Sequence, residues 1–225
     1  MLIVADENIP LLDSFFGDIG DIRQVPGRTM SAADVKDADI LLVRSVTRVN
    51  QELLADSQVR FVGTCTIGTD HIDRDWLDSA GIAFSAAPGC NANSVAEYVL
   101  SIISLRAEKL CMDDWTDLSV GIVGAGNVGG ELARKLERLG FETVVCDPPK
   151  AEAAEEDDDT FASLEEALKC DVVTLHTPLV GGGNHPTYHL LDKGRLAGLK
   201  ENQLLINTSR GEVIDTVALV QRLSE

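Results

Sequence analysis

Short, uninterrupted runs of Val, Ile and Leu alternate with longer helical stretches along this chain of 225 residues, and this alternation limits the folds open to it. The runs lack the polar–apolar alternation of a half-buried strand, so helices must cover both faces of the sheet that they form. They lie at residues 2–5, 40–43, 60–63, 82–85, 119–123, 143–146, 172–175 and 204–206. The pattern predicts an α/β protein with parallel sheets.

The strongest helical pattern covers residues 91–112, and the asparagine at either position 91 or position 93 is a suitable N-cap. Its apolar residues recur at helical spacing, at Val95, Tyr98, Val99, Ile102 and Ile103. A second pattern of strands and helices begins after the polar stretch 112–117. We therefore predict two doubly wound parallel-sheet domains, over residues 1–100 and 101–225. The acidic run 152–159 predicts a solvated loop.

Acidic residues outnumber basic ones by 37 to 19, which gives a formal net charge of −18. Such a charge disfavours nucleic acid and anionic membranes as partners, and an anionic substrate would need a local basic cluster. No apolar run approaches the ~20 residues that span a bilayer, and acidic residues follow the first run at once, unlike a signal peptide. The five cysteines form no C-x-x-C pair, which predicts reduced, mostly buried thiols in a cytoplasmic protein.

A glycine-rich turn with the sequence GAGNVG follows the run 119–123 and opens a helix. Its first glycine allows the tight turn, its second lets a pyrophosphate approach the backbone, and its third lets the helix pack on the strand. The buried face of that helix is predicted at Val128, Leu132, Leu136 and Leu139. The next strand ends in an aspartate that can accept the adenosine ribose hydroxyls and repel a 2′-phosphate. The sequence therefore predicts an NAD-binding Rossmann domain with Gly124, Gly126, Asn127, Val128, Gly129 and Asp147 in the cofactor site.

Two arginines lie just past predicted strands, where open α/β sheets bind their ligands. Arg210 can bind a carboxylate through two parallel hydrogen bonds and polarise a neighbouring hydroxyl or carbonyl group. Arg44 opens the segment Arg44-Ser45-Val46-Thr47, which offers a guanidinium and two hydroxyls, the parts of a phosphate-binding loop. A polar loop with a solvated arginine is the open alternative there. Asp215 is a suitable N-cap for the last helix.

None of the four histidines is predicted to be a catalytic base. His71 is predicted to brace a turn, and His176 lies at a strand end without a visible carboxylate partner. His185 and His189 are four residues apart, but two histidines alone do not make a metal site. No metal is expected.

The GAGNVG turn, the segment His176-Thr177-Pro178-Leu179 and the block 207–215 resemble the D-isomer-specific 2-hydroxyacid dehydrogenases, over essentially the whole chain. The segments 61–73, 85–91 and 146–149 resemble members that act on a small phosphorylated hydroxy acid. The resemblance implies a flavodoxin-like substrate-binding domain over residues 1–100. By position, it implies that Arg210 binds the substrate carboxylate and orients the 2-hydroxyl. It further implies substrate contacts at Ser45 and Thr66 and NAD contacts at Asp147, Thr177, Thr208, Ser209 and Arg210.

The chain departs from the family pattern in its last part. The family's acid–base histidine and the glutamate that orients it fall beyond residue 225, and four strands are predicted in the second domain where a Rossmann domain has six. We therefore expect a C-terminally truncated Rossmann domain that is part of a longer, homodimeric enzyme. A dinucleotide-binding regulator without turnover is the alternative from another class.

Overall fold

The computed structural model describes residues 1–66, 68–155 and 160–224. Contacts divide the chain into two compact units, Met1–Cys90 and Asn91–Glu225. The sequence predicts a division after residue 100. The structure divides the chain earlier, before the long helix begins. The buried side of that helix packs into the core of the second unit, so the whole helix belongs there. Part of the predicted acidic loop, residues 156–159, lies outside the described residues.

Unit 1 is a five-stranded parallel sheet with the strand order β2-β1-β3-β4-β5. Its strands are β1 (Leu2–Asp6), β2 (Asp21–Val25), β3 (Ile40–Val43), β4 (Phe61–Thr64) and β5 (Ala83–Ser85). Its helices are α1 (Leu12–Phe16), α2 (Ala32–Val35), α3 (Gln51–Leu54) and α4 (Arg74–Ser79). Successive residues of β1 enter different hydrophobic clusters, Val4 one and Ile3 and Ala5 another, so the sheet is buried on both faces.

Unit 2 opens with α5 (Ala92–Lys109) and continues as a four-stranded parallel sheet with the order β7-β6-β8-β9. Its strands are β6 (Val120–Val123), β7 (Thr143–Cys146), β8 (Val172–Leu175) and β9 (Leu204–Asn207). Its other helices are α6 (Asn127–Leu139), α7 (Pro148–Ala153), α8 (Leu164–Ala167), α9 (Lys193–Ala197) and α10 (Thr216–Ser224). The strand order reverses between β6 and β8, and sheets of this kind bind their ligands in the crevice outside the carboxyl ends of such strands.

All eight predicted strands are present, with ends shifted by at most one residue. The predicted apolar face of α5 was wrong at Tyr98, which is 58% exposed. The helix instead buries a row of mostly small residues, Ala92, Ala96, Val99, Ile103 and Ala107. The face predicted for α6 was likewise wrong at Leu139, which is 45% exposed, because this residue ends the helix. Close packing through alanine explains the first difference, since a search for large apolar residues overlooks such a row.

The five cysteines are all free thiols, as predicted, but they are not mostly buried. Cys146 and Cys170 are buried, whereas Cys65, Cys90 and Cys111 are exposed. Burial raises the pKa of Cys146 to about 11, which makes this thiol a poor nucleophile. Within the described ranges, none of the helices combines the length and the apolar character that a bilayer crossing requires.

Candidate functional site

The glycine turn between β6 and α6 is tightly enclosed at two of its glycines and open at the third. Gly124 has a φ of 95°, and a Cβ there would lie 2.8 Å from the carbonyl oxygen of His176. A Cβ on Gly129 would overlap the carbonyl oxygen of Gly124, whereas one on Gly126 would have no atom within 4 Å. No side chain caps α6 in the described part of the chain, so no cap competes with a ligand for its first N–H groups. The turn therefore forms a cradle that fits a pyrophosphate.

Asp147 joins the end of β7 to the glycine turn. Its Oδ2 accepts a hydrogen bond from the N–H of Ala125 at 2.7 Å, and its Oδ1 accepts one from the N–H of Lys150 at 3.2 Å. Nζ of Lys150 donates to the carbonyl oxygen of Ala125 at 2.6 Å and closes the ring. A carboxylate can accept about four hydrogen bonds, so Asp147 retains acceptor capacity for ribose hydroxyls.

Asp147 and part of the glycine turn line a cleft of about 590 Å³ within unit 2. Its walls include Gly124, Gly126, Asp147, Thr177 and the loop that follows β8. Most of the lining is apolar, with a few polar groups among it, which is typical of a cofactor site. Oγ1 of Thr177 is buried here without a hydrogen-bond partner among the residues described. Such an orphaned hydroxyl fits a polar group of a bound dinucleotide.

The ends of β8 and β9 hold the other predicted cofactor residues together. The N–H of Thr177 donates to Oγ of Ser209 at 2.8 Å, and the N–H of Ser209 donates to Oδ1 of Asn207 at 2.9 Å. Nδ2 of Asn207 donates to the carbonyl oxygen of Arg210 at 2.9 Å and so fixes the backbone of the half-buried arginine. Sequence reasoning missed Asn207, although its amide at a strand end was an available signal.

His176 lies between two threonine hydroxyls. Its Nε2 is 3.0 Å from Oγ1 of Thr174, and its Nδ1 is 2.7 Å from Oγ1 of Thr208. Burial lowers the pKa of His176 to about 4, so the imidazole is neutral at neutral pH. Both ring nitrogens contact hydroxyls instead of a carboxylate, an arrangement that holds Thr208 in place and does not accept a substrate proton.

The buried imidazole of His176 should make the protein acid-sensitive. Its folded pKa of about 4 lies below the ordinary 6.5, so the unfolded chain takes up the proton first as the pH falls. The contribution of the neutral His176 to the free energy of unfolding is complete above pH 6.5. It falls as the pH drops towards 4, by about 3 kcal/mol at most. Urea unfolding of wild type and His176→Gln between pH 7 and 4 measures this, and we expect a shallower pH dependence for the variant. Parallel curves would contradict it.

In unit 1, the predicted substrate residues lie at the carboxyl ends of β3 and β4. Ser45 is exposed, Arg44 is half-buried, and Nε of Arg44 lies 3.2 Å from Oδ2 of Asp6. Thr47 is buried and its hydroxyl donates to the carbonyl oxygen of Gly27 at 2.9 Å. The side chain of Thr47 therefore supports the loop, and it does not fit the predicted direct contact with substrate.

Thr66 lies at the end of a short polar chain that begins at His71. The hydroxyl of Thr64 is 3.0 Å from that of Thr66 and 3.1 Å from Nε2 of His71. His71 is buried, and its carbonyl oxygen accepts a hydrogen bond from the N–H of Val49 at 2.8 Å. Its position supports the predicted bracing role and gives Thr66 a defined orientation.

His185 and His189 point to different partners. Nε2 of His185 lies 3.0 Å from Oε1 of Glu152, whereas Nδ1 of His189 lies 3.9 Å from Oδ2 of Asp215. In the described ranges, no group of three or more His, Cys, Asp or Glu side chains could hold a metal ion. Asp215 also accepts from the N–H of Ala218 at 3.1 Å, so its predicted capping of α10 is confirmed.

Residues 96–225 match the family model described as "D-isomer specific 2-hydroxyacid dehydrogenase, NAD binding domain". The chain belongs to this family of dehydrogenases. Its curated relatives include the erythronate-4-phosphate dehydrogenase of Marinobacter nauticus, which is 66% identical over 225 residues, with 100% of this chain and 59% of the relative covered. The enzyme of the same name from Pseudomonas entomophila is 57% identical, with 99% of this chain and 57% of the relative covered.

Among solved structures, the NAD⁺-bound 3-phosphoglycerate dehydrogenase of Entamoeba histolytica is similar with a TM-score of 0.77 at 23% identity, covering 100% of this chain and 76% of that one. This likeness shows the fold. The chain spans less than two thirds of the length of the curated relatives described above. The predicted family, the α/β fold with its Rossmann unit and NAD as the cofactor are confirmed.

Proposed function

We propose that the full-length protein oxidises 4-phospho-D-erythronate to 2-oxo-3-hydroxy-4-phosphobutanoate with NAD, a step in the biosynthesis of pyridoxal 5′-phosphate. One observation carries the proposal: all 225 residues align at 66% identity with a relative named for this substrate. The glycine cradle and the arginines at strand ends supply the chemistry that the reaction needs. The substrate is a small phosphorylated hydroxy acid, and neither nucleic acid nor a membrane is proposed as a partner.

The cofactor site is proposed along the cleft of unit 2. The N–H groups of Asn127, Val128 and Gly129 would face the pyrophosphate, while Gly124 allows the tight turn and Gly126 leaves room for the cofactor. Asp147 would accept the adenosine ribose hydroxyls, and Thr177, Thr208, Ser209 and Arg210 would contact the nicotinamide half. When bound, NAD supplies the acceptor for the hydrogen that leaves C2 with its electron pair.

The side chain of Arg210 would bind the substrate carboxylate by two parallel hydrogen bonds and orient the 2-hydroxyl beside it. In unit 1, Arg44, Ser45 and Thr66 are proposed to receive the substrate, with Arg44 on the phosphate. The proton of the 2-hydroxyl also needs an acceptor. His176 does not fill that role because Thr174 and Thr208 occupy its ring nitrogens. We propose that a histidine oriented by a glutamate takes up this proton in the full-length protein, as the family resemblance implies.

The direct test is turnover by the full-length protein, followed as NADH absorbance with a 2-oxo acid trap. We expect oxidation of 4-phospho-D-erythronate and much slower oxidation of 3-phosphoglycerate, the substrate of the nearest alternative enzyme, at equal concentration. Preference for 3-phosphoglycerate would replace the proposed substrate. NADH binding without turnover of any 2-hydroxy acid would favour the regulator. We also propose that the full-length protein is a cytoplasmic homodimer. Light scattering of the full-length protein tests the oligomeric state.

Asp147 should control the choice between NAD and NADP. Asp147→Asn removes the charge that repels a 2′-phosphate but keeps one acceptor for the N–H of Ala125. We expect kcat/KM with NAD to fall about tenfold and kcat/KM with NADP to rise about tenfold. Asp192→Asn is the matched control, because Asp192 also accepts a hydrogen bond at a helix start but does not line the cleft. An unchanged ratio of NAD to NADP activity would refute the assignment.

A further inference from the structure

Asp6 is a fully buried carboxylate for which the proposed reaction has no use. It ends β1 and has 0% of its surface exposed. Its Oδ1 accepts a hydrogen bond from the N–H of Asn8 at 2.9 Å, while Oδ2 has no hydrogen-bond donor in the described part of the chain. Nε of Arg44 lies 3.2 Å from Oδ2. A buried charge is costly unless an opposite charge compensates it, and this ion pair provides the compensation.

The surroundings leave the carboxylate of Asp6 almost no freedom. A Cβ on Gly27 would overlap Oδ2 of Asp6 and lie 2.9 Å from Oγ1 of Thr47. The hydroxyl of Thr47 donates to the carbonyl oxygen of Gly27. The backbone N–H of Thr47 donates to the carbonyl oxygen of Arg44 at 3.2 Å. The ends of three neighbouring strands, β2, β1 and β3, therefore enclose one buried charge and the base of the Arg44 loop.

We propose that Asp6 is a positioning residue that holds the guanidinium of Arg44 by its Nε side and presents the other edge to the substrate phosphate. Nε of Arg44 is buried, whereas 32% of the side chain is exposed. A guanidinium has two hydrogen-bonding edges, so a partner at Nε leaves the edge between the two terminal nitrogens for an anion. This inference rests on the proposed function, which assigns Arg44 to the phosphate.

A simpler electrostatic argument predicts the opposite effect. If Asp6 acted only through its charge, its removal would make the loop more positive and tighten phosphate binding. Solvent at the partly exposed Arg44 screens the repulsion between the carboxylate of Asp6 and the substrate phosphate. Losing the fixed edge of the guanidinium, in contrast, removes a charge-assisted bidentate contact. Positioning therefore predicts weaker binding of substrate on removal of the charge, and the sign of the change separates the two roles.

Steady-state kinetics of the full-length protein give the first test. Asp6→Asn should raise KM for 4-phospho-D-erythronate about tenfold and leave kcat within about twofold. Asp39→Asn is the matched control, because Asp39 also pairs with an arginine of unit 1, Arg60, at 2.9 Å, and it precedes β3 at the other end of the sheet. We expect wild-type KM for this control. An unchanged or lower KM in Asp6→Asn would overturn the proposal.

A double-mutant cycle shows whether Asp6 acts through Arg44. Arg44→Gln alone should raise KM at least as much as Asp6→Asn, and the double variant should be no worse than Arg44→Gln. Additive losses would mean that Asp6 acts elsewhere. Gly27→Ala is a second approach that keeps the charge and displaces the carboxylate, and it should reproduce the KM increase. Wild-type KM in a folded Gly27→Ala protein would contradict the model of a fixed edge.

A binding measurement separates this inference from the proposed function. Inorganic phosphate should raise the Tm of wild type and Asp39→Asn more than that of Asp6→Asn or Arg44→Gln. If wild type shows this phosphate effect but does not oxidise 4-phospho-D-erythronate, the proposed function fails and the role of Asp6 stands. If wild type turns the substrate over and Asp6→Asn matches Asp39→Asn in both measurements, the role of Asp6 fails and the proposed function stands.

Discussion

Replacing Arg210 with lysine is expected to lower kcat/KM for 4-phospho-D-erythronate by about a hundredfold, and Arg210→Gln by about a thousandfold. The guanidinium can hold a carboxylate by two parallel hydrogen bonds and still orient the adjacent hydroxyl. An ammonium is a point charge without that fork, and a glutamine lacks the charge as well. Because Asn207 fixes the backbone at Arg210, neither variant is expected to move the loop.

Steady-state kinetics and thermal unfolding of the full-length protein check this prediction together. The matched control is Arg138→Gln, at an exposed arginine in the last turn of α6, which should change kcat/KM by less than about twofold. A lysine variant that retained full activity would show that a positive charge alone is enough. A loss of activity that followed a loss of stability would assign Arg210 a structural role instead.

The contrast between β2 and β8 shows which strands the sequence could predict. Residues 172–175 are buried throughout, and their uninterrupted Val, Thr and Leu content is typical of a central parallel strand. Residues 21–25 form the edge strand of unit 1, with Asp21 and Gln24 exposed, and the search for apolar runs missed them. The position of β2 is fixed by its backbone pairing with β1, which the half-polar side chains of β2 do not reveal.

The candidate functional residues divide in the same way. The glycine turn and Asp147 could be predicted because strand, turn, helix and acid follow one another in the sequence. The pair of Asp6 and Arg44 could not, because the two residues meet only when β1 and β3 become neighbours in the sheet. The contact of His176 with Thr208 likewise joins the ends of β8 and β9. Local motifs thus predict a cofactor site, whereas the contacts that position its residues depend on the fold.

Alanine substitutions in the glycine turn should separate folding from cofactor binding. Gly129→Ala is expected to destabilise the protein by at least about 3 kcal/mol, because its Cβ would overlap the carbonyl oxygen of Gly124 and lie 3.3 Å from Cγ2 of Ile122. Neither neighbour can move easily, because the carbonyl group of Gly124 is part of the tight turn and Ile122 is buried in β6. Urea unfolding without NAD measures this effect.

Gly126→Ala should weaken the binding of NAD without destabilising the protein. Its Cβ would meet no atom within 4 Å, so we expect a free energy of unfolding within about 1 kcal/mol of wild type. The same methyl group would occupy the space proposed for the pyrophosphate, so the Kd for NAD should rise about a hundredfold or more. Calorimetric titration with NAD measures this change. Wild-type affinity in this variant would mean that the pyrophosphate does not approach the turn there.

Gly130→Ala is the matched control for both variants, because it adds the same methyl group to α6 at the residue after Gly129. Its Cβ would lie 3.4 Å from the carbonyl oxygen of Ala125, an ordinary contact. Alanine is favoured over glycine inside a helix, so the variant should be more stable by about 0.5–1 kcal/mol and bind NAD with unchanged affinity. If all three variants lost stability alike, sensitivity of the helix start to any added bulk would explain the series. Three different outcomes would show that Gly129 is required for packing, Gly126 for the cofactor and Gly130 for neither.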